Sequence, residues 1–203
     1  MVVSPQIDGE NVTFGYGSLS AKNVALVGDW SEEKIPMTEV EDIFSVSTIL
    51  KPGVYHYYYV VDGENKVDSS NRFKEDGESV LYMPGLVGGQ VNVLKGETTA
   101  LPMMLTEVGA DGTQKQTTIE TYEVSTEEAK SFVTLDSGNV TVSAGYTGEQ
   151  VSLLATAGEQ SATILLNFVE NKIVSPQVSG NTIVFSSDYA ATVKGSISSV
   201  STR

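Results

Sequence analysis

Few residues in this chain could do chemistry. There is a single histidine, His56, and no cysteine. Without thiols there is no disulfide, no thiolate nucleophile and no Cys-ligated zinc, and one imidazole cannot build a two-histidine metal site. His56 could serve a Ser-His-Asp arrangement, which needs an oriented base beside an exposed nucleophile. It lies instead within Val54-Tyr55-His56-Tyr57-Tyr58, with no nucleophile-elbow sequence nearby. That setting predicts a solvent-facing strand residue. Acid pairs such as Glu32-Glu33 and Glu127-Glu128 are present, but glycosidase chemistry needs two carboxyls about 5–9.5 Å apart across a cleft. In turns, such pairs read as solvated charge. Asp62, Glu64 and Asp68 crowd one stretch, yet they lack the alternating ligand spacing of a calcium loop and read as a hairpin turn. No catalytic residue, metal site or cofactor is expected.

The elements that must carry any site follow from composition and pattern. Of 203 residues, 26 are acidic and 12 basic, a formal charge of −14. Phosphate binding requires clustered Lys and Arg, so a nucleic-acid partner is not expected. Anionic membrane surfaces are disfavoured for the same reason. No apolar run approaches the roughly 20 residues of a membrane span. No basic-then-apolar leader precedes Val2, which predicts either a cytosolic chain or a piece from inside a longer precursor. At 40% hydrophobic residues, the chain has enough apolar material for real cores.

Strand signals dominate. Asn23–Val27, Ile43–Ile49 and Gly53–Val61 are short, β-branched or aromatic, and bounded by turn residues such as Gly28-Asp29, Pro52-Gly53 and Asp62-Gly63. This spacing predicts an all-β fold of tandem immunoglobulin-like sandwiches. Further strands are expected over Thr117–Glu123, Phe132–Leu135, Asn139–Ser143, Gln150–Ala157 and Ala162–Val169. Ser125–Lys130 reads as one capped helical turn between strands. In Tyr55–Tyr59, alternation turns Tyr55, Tyr57 and Tyr59 inward and His56 and Tyr58 outward.

An internal repeat organises the chain. Val3-Ser4-Pro5-Gln6-Ile7-Asp8-Gly9 recurs as Val174-Ser175-Pro176-Gln177-Val178-Ser179-Gly180, and the match runs on to Phe14 and Phe185 at a constant offset of 171. The expected order is a module over 1–88, a second over 89–171, and the truncated start of another copy of the first over 172–203. The apolar Leu86 and Val87 of Gly85-Leu86-Val87-Gly88-Gly89 predict partial packing of the first module against the second, not a free tether.

The first module resembles the early-set sandwiches of the family 48 carbohydrate-binding modules, which precede the catalytic barrel in pullulanases, branching enzymes and isoamylases. The resemblance is carried by Val3-Ser4-Pro5-Gln6, Val24-Ala25-Leu26-Val27-Gly28-Asp29-Trp30, Ile35-Pro36-Met37-Thr38, Lys51-Pro52-Gly53-Val54-Tyr55-His56-Tyr57, Val60-Val61-Asp62-Gly63 and Ser79–Gly85. The second module is similar to bacterial immunoglobulin-like group 2 domains, through Phe132–Thr141, Val151–Ala157 and Ser161–Ile164.

The resemblance implies a sugar face of stacked aromatics with a few polar partners, and it marks Trp30, Tyr58 and Asn65 as candidate carbohydrate contacts. All three platform positions of the family depart from its pattern: Glu33 stands close to where the first stacking Trp belongs, Tyr58 where the family places a Lys, and Asn65 where it places a second Trp. Trp30 falls on the position where the family buries a Phe. At about 1–3 kcal/mol per lost anchor, at most weak α-glucan binding is expected. The implied whole is a non-catalytic segment of an extracellular bacterial α-glucan hydrolase of pullulanase type, because a (β/α)₈ barrel needs about 250 residues of its own. The alternative is a cell-surface structural or adhesion protein of repeated sandwiches. Neighbouring modules of the same parent are expected partners. A two-strand remnant at 172–203 would leave Val178, Ile183, Phe185 and Val193 uncovered, predicting a dimer through that segment that depends on where the chain is cut.

Overall fold

The computed structural model describes residues 4–170, together with the backbone of 177–179 and 182–184. The described elements are almost entirely antiparallel β-structure with one 3₁₀ turn, so the chain is all-β. Two compact units are formed. One takes the chain up to Gly89 with Pro102–Glu123 and Leu153–Ile164; the other takes Gln90–Leu101, Val124–Ser152 and the chain from Leu165.

The first ten strands make a sandwich. They are β1 (Gln6–Asp8), β2 (Asn11–Gly17), β3 (Val24–Gly28), β4 (Ile35–Pro36), β5 (Thr38–Val40), β6 (Ile43–Ile49), β7 (Gly53–Val61), β8 (Glu64–Lys66), β9 (Lys74–Glu75) and β10 (Glu78–Met83). One sheet has the order β1-β2-β6-β5 and the other β4-β3-β7-β10-β9, with β8 folded back on β7. Alternation supplies the core between them. Val12, Phe14 and Phe44 come from the first sheet, and Val24, Leu26, Tyr57, Tyr59, Leu81 and Met83 from the second. Tyr57 and Tyr59 are fully buried, as their inward phase requires. Asp62-Gly63 and Asp76-Gly77 close the β7–β8 and β9–β10 hairpins with positive φ at all four residues, the type I′ geometry that matches strand twist.

The following strands are β11 (Gly85–Leu86), β12 (Gly89–Val93), β13 (Thr98–Ala100), β14 (Met104–Val108), β15 (Gln114–Thr118), β16 (Thr121–Val124), β17 (Val133–Asp136), β18 (Asn139–Val142), β19 (Gln150–Ala157) and β20 (Gln160–Phe168). Their sheet orders are β11-β14-β15, β12-β20-β19-β16 and β13-β18-β17. The stretch from Gly85 begins as strand. Gly85 and Leu86 pair with Val108 and Glu107, and the Val87 N–H donates to the Thr106 carbonyl at 2.8 Å. The single strand expected over Thr117–Glu123 is two, because the backbone changes partner between them. Ile119 N–H donates to Met103 and Glu120 N–H to Thr156. The helical turn is present as Glu127–Ala129, but the Thr126 side chain does not cap it. Its hydroxyl accepts the Ser152 N–H at 2.8 Å instead.

Lys95 stabilises the second unit in a way that charge alone does not explain. Its ammonium donates to the Tyr146 and Gly148 carbonyls at 2.7 and 3.3 Å and lies 4.3 Å from the Phe168 ring centroid and 5.4 Å from that of Tyr146. Lys95→Met keeps the apolar stem and removes both effects, so it is expected to lower stability by about 1–2 kcal/mol. Urea denaturation measures the loss, and faster amide exchange over 143–148 locates it.

The repeat is visible as backbone. β21 (Gln177–Ser179) and β22 (Thr182–Val184) pair as Gln177↔Val184, Val178↔Ile183 and Ser179↔Thr182. β1 and β2 pair as Gln6↔Thr13, Ile7↔Val12 and Asp8↔Asn11, the same register at the repeat offset. The rest of the remnant expected over 172–203, with Phe185 and Val193, and the dimer expected through it lie outside the described residues.

Candidate functional site

Strand register brings two of the three candidate contacts together. Tyr58 pairs with Val27 and faces outward from β7. Val60 pairs with Asn65 across the β7–β8 hairpin, which puts Asn65 on the face that Val60 shares with Tyr58. The two side chains line one hollow of about 270 Å³, with Lys66, Val67, Asp76, Gly77 and Glu78 completing it. The two type I′ hairpins therefore build the walls. Tyr58 is half-buried and Asn65 exposed, so an aromatic surface and an amide face the same space. Lys66 pairs with Glu64 beside it. Their hydrogen bond and opposite charges pull the Glu64 carboxyl below its ordinary range and push the Lys66 ammonium above its own. The rim thus offers amide, ammonium and carboxylate groups suited to hydroxyls.

Trp30 stands elsewhere. Its half-buried indole stacks on Phe14 at 5.5 Å and 20° and meets Tyr55 edge-on at 5.8 Å, packed against the inter-sheet core. The ring covers Gly28 so closely that a Cβ there would fall 2.2 Å from it. Its Nε1 is buried without a hydrogen-bond partner.

The other candidates are held apart by separate tasks. The Asp62 carboxylate accepts the N–H groups of Lys22 and Asn23 at 2.9–3.2 Å, fixing the loop before β3. Glu64 is paired with Lys66, and Asp68 is buried. No group of three His, Asp or Glu residues among those described could hold a metal ion. His56 does face outward, with Nδ1 3.3 Å from Asp29 and Nε2 3.6 Å from Glu75. Its ring nitrogens meet carboxylates rather than a hydroxyl nucleophile.

Sequence reasoning placed Asp68 in a turn; the structure makes it the centre of a buried polar network. Its Oδ2 accepts from Tyr57 and Tyr59 hydroxyls at 2.9 and 3.2 Å, and its Oδ1 from the Ser70 N–H and hydroxyl at 2.9 and 2.6 Å. Burial first, and then the adjacent Asp68 charge, push the Tyr57 phenol far above its ordinary value. Tyr59 moves the same way, again chiefly by burial. Two inward tyrosines two residues apart were the available signal, since a buried hydroxyl needs a partner.

Residues 11–83 match the family described as the glycogen recognition site of AMP-activated protein kinase. The first sandwich is therefore similar to a carbohydrate-recognition module. No curated protein matches the chain. Among solved structures, the maltogenic amylase from S. marinus aligns at 15% identity and a TM-score of 0.37, over 82% of this chain and 30% of that one. The chain thus spans less than a third of that enzyme.

Proposed function

We propose that this chain is a non-catalytic accessory segment of an extracellular α-glucan-degrading enzyme of pullulanase type, whose first module docks α-glucan weakly through the Tyr58 and Asn65 hollow. The supporting observation is the match of residues 11–83 to a glycogen-recognition family combined with the convergence of Tyr58 and Asn65 on one hollow. Trp30 stacks on Phe14 against the core, away from that hollow. One aromatic without a second platform gives a dissociation constant of about millimolar or weaker. The modules are 1–88, an immunoglobulin-like group 2 domain over 89–171, and the beginning of a second early-set copy from 172.

Affinity electrophoresis in native gels tests this reading. Slight retardation by amylopectin, abolished in Tyr58→Ala, is the expected outcome. Strong retardation would instead describe a fully equipped starch-binding module, and none would remove the glycan role.

The register shared by β1–β2 and β21–β22 favours a second reading, a surface protein built of repeated sandwiches. Under it, amylopectin leaves mobility unchanged.

A further inference from the structure

The first sandwich carries a larger hollow than the one at Tyr58. It measures about 600 Å³ and lies where the end of β2 and the start of β6 meet the chain after β8, with Tyr16, Leu19, Glu41, Asp42, Ile43 and Ser69 in its lining. Leu19 is 90% exposed and Ile43 41%, so two aliphatic side chains meet water in one place. The loop presenting Leu19 is pinned. The Ser18 N–H donates to the Asp42 carbonyl at 3.0 Å, and the Ser18 hydroxyl accepts from the Ser20 and Ala21 N–H groups at 3.3 and 3.1 Å. The β5–β6 turn holds Glu41 and Asp42 at φ of 51° and 63°, a left-handed region that glycine adopts at less cost. That strain keeps two carboxylates on the rim. Apolar surface beside groups that accept hydrogen bonds suits a sugar ring, with its apolar C–H faces and donating hydroxyls.

This hollow adjoins the first. Val67 lines the hollow of Tyr58 and Asn65, and the next residue, Asp68, lines this one. Their walls therefore meet within one Cα–Cα step of about 3.8 Å. Lys66, which lines the first hollow, pairs with Tyr59, and the Tyr59 ring meets that of Tyr16 edge-on at 5.2 Å. Lys66 thus shares the strand face that Tyr59 turns toward Tyr16.

We propose that the two hollows form one extended cleft for a single α-glucan chain crossing the Lys66-Val67 ridge, an inference that rests on the α-glucan reading above. Tyr58 and Asn65 hold one stretch of the chain. Farther along, Tyr16, Leu19 and Ile43 cover the apolar faces of sugar rings, and Glu41, Asp42 and Ser69 accept their hydroxyls. Tyr16 is half-buried against Tyr59 and offers only part of its ring, so the second hollow extends the first and does not hold a sugar alone. Short oligosaccharides fill the first hollow, and longer ones reach both.

The test is a ¹H–¹⁵N titration of the full chain with maltotriose and with maltoheptaose, in the wild type and in Leu19→Asp. The Leu19 side chain stands in water, so this change leaves the core intact. Maltotriose is expected to shift the residues of the Tyr58 hollow only, and maltoheptaose to add shifts at Ser18, Leu19, Glu41–Ile43 and Ser69. Leu19→Asp should remove the added shifts and weaken maltoheptaose about fivefold, with maltotriose unchanged. Maltoheptaose shifts confined to the Tyr58 hollow, or an unchanged maltoheptaose affinity in Leu19→Asp, overturn the extended cleft and leave the first hollow standing. No shifts with either sugar would remove the α-glucan reading, and this proposal with it.

Discussion

Asp68→Ala is expected to lower the stability of the first sandwich by about 3–5 kcal/mol, the range for removing one side of a buried charged network. Asp68 is 3% exposed and accepts four hydrogen bonds. Its loss strands the Tyr57 hydroxyl with only the donating Asn71 amide beside it. Tyr59 is less affected, because its hydroxyl still reaches the Gly15 carbonyl at 3.1 Å and the Ser4 hydroxyl at 2.9 Å. Asp68→Asn keeps one acceptor oxygen and should lose about half as much. Urea midpoints of the two variants against the wild type decide the point. A loss below about 1 kcal/mol for Asp68→Ala would mean that the network contributes little.

Alkaline pH should unfold the first sandwich steeply. The phenols of Tyr57 and Tyr59 are raised in the folded state, mainly by burial, whereas in the unfolded chain they ionise near pH 10. Below pH 10 both states hold these protons and the stability is unaffected. Above it the unfolded state releases protons that the folded state keeps, so unfolding gains about 1.4 kcal/mol per pH unit for each tyrosine. Phenolate absorbance followed during titration should show Tyr57 and Tyr59 ionising only with loss of the native circular dichroism. Gradual ionisation of Tyr57 and Tyr59 in a folded chain would contradict the burial argument.

Both effects come from residues whose roles were unequally legible. The inward phase of Tyr57 and Tyr59 follows from alternation alone, and so does the outward phase of Tyr58. Asp68 was opaque, because its tyrosine partners lie on a strand that precedes it and nothing local marks a turn aspartate as buried. Tyr58 and Asn65 were named from a resemblance, but their meeting depends on the β7–β8 register, which the Asp62-Gly63 turn sets. β14 escaped notice because Met104-Leu105-Thr106-Glu107-Val108 lacks clean alternation. The polar run Gln114–Thr118 likewise gave no sign of its pairing with β14. The bonds of Glu107 with Thr117 and Gln160 were invisible for that reason, since the three residues come from β14, β15 and β20.

The most direct test of the glycan reading is a ¹H–¹⁵N titration of the full chain with maltoheptaose, with cellohexaose as the comparison sugar. The account predicts saturable shifts at Tyr58, Asn65, Lys66 and Asp76–Glu78 with a dissociation constant of about millimolar or weaker. Trp30 should stay unmoved, Tyr58→Ala should abolish the shifts, and cellohexaose should produce none. Unchanged spectra at roughly ten times that concentration, or shifts confined to other parts of the chain, would contradict it.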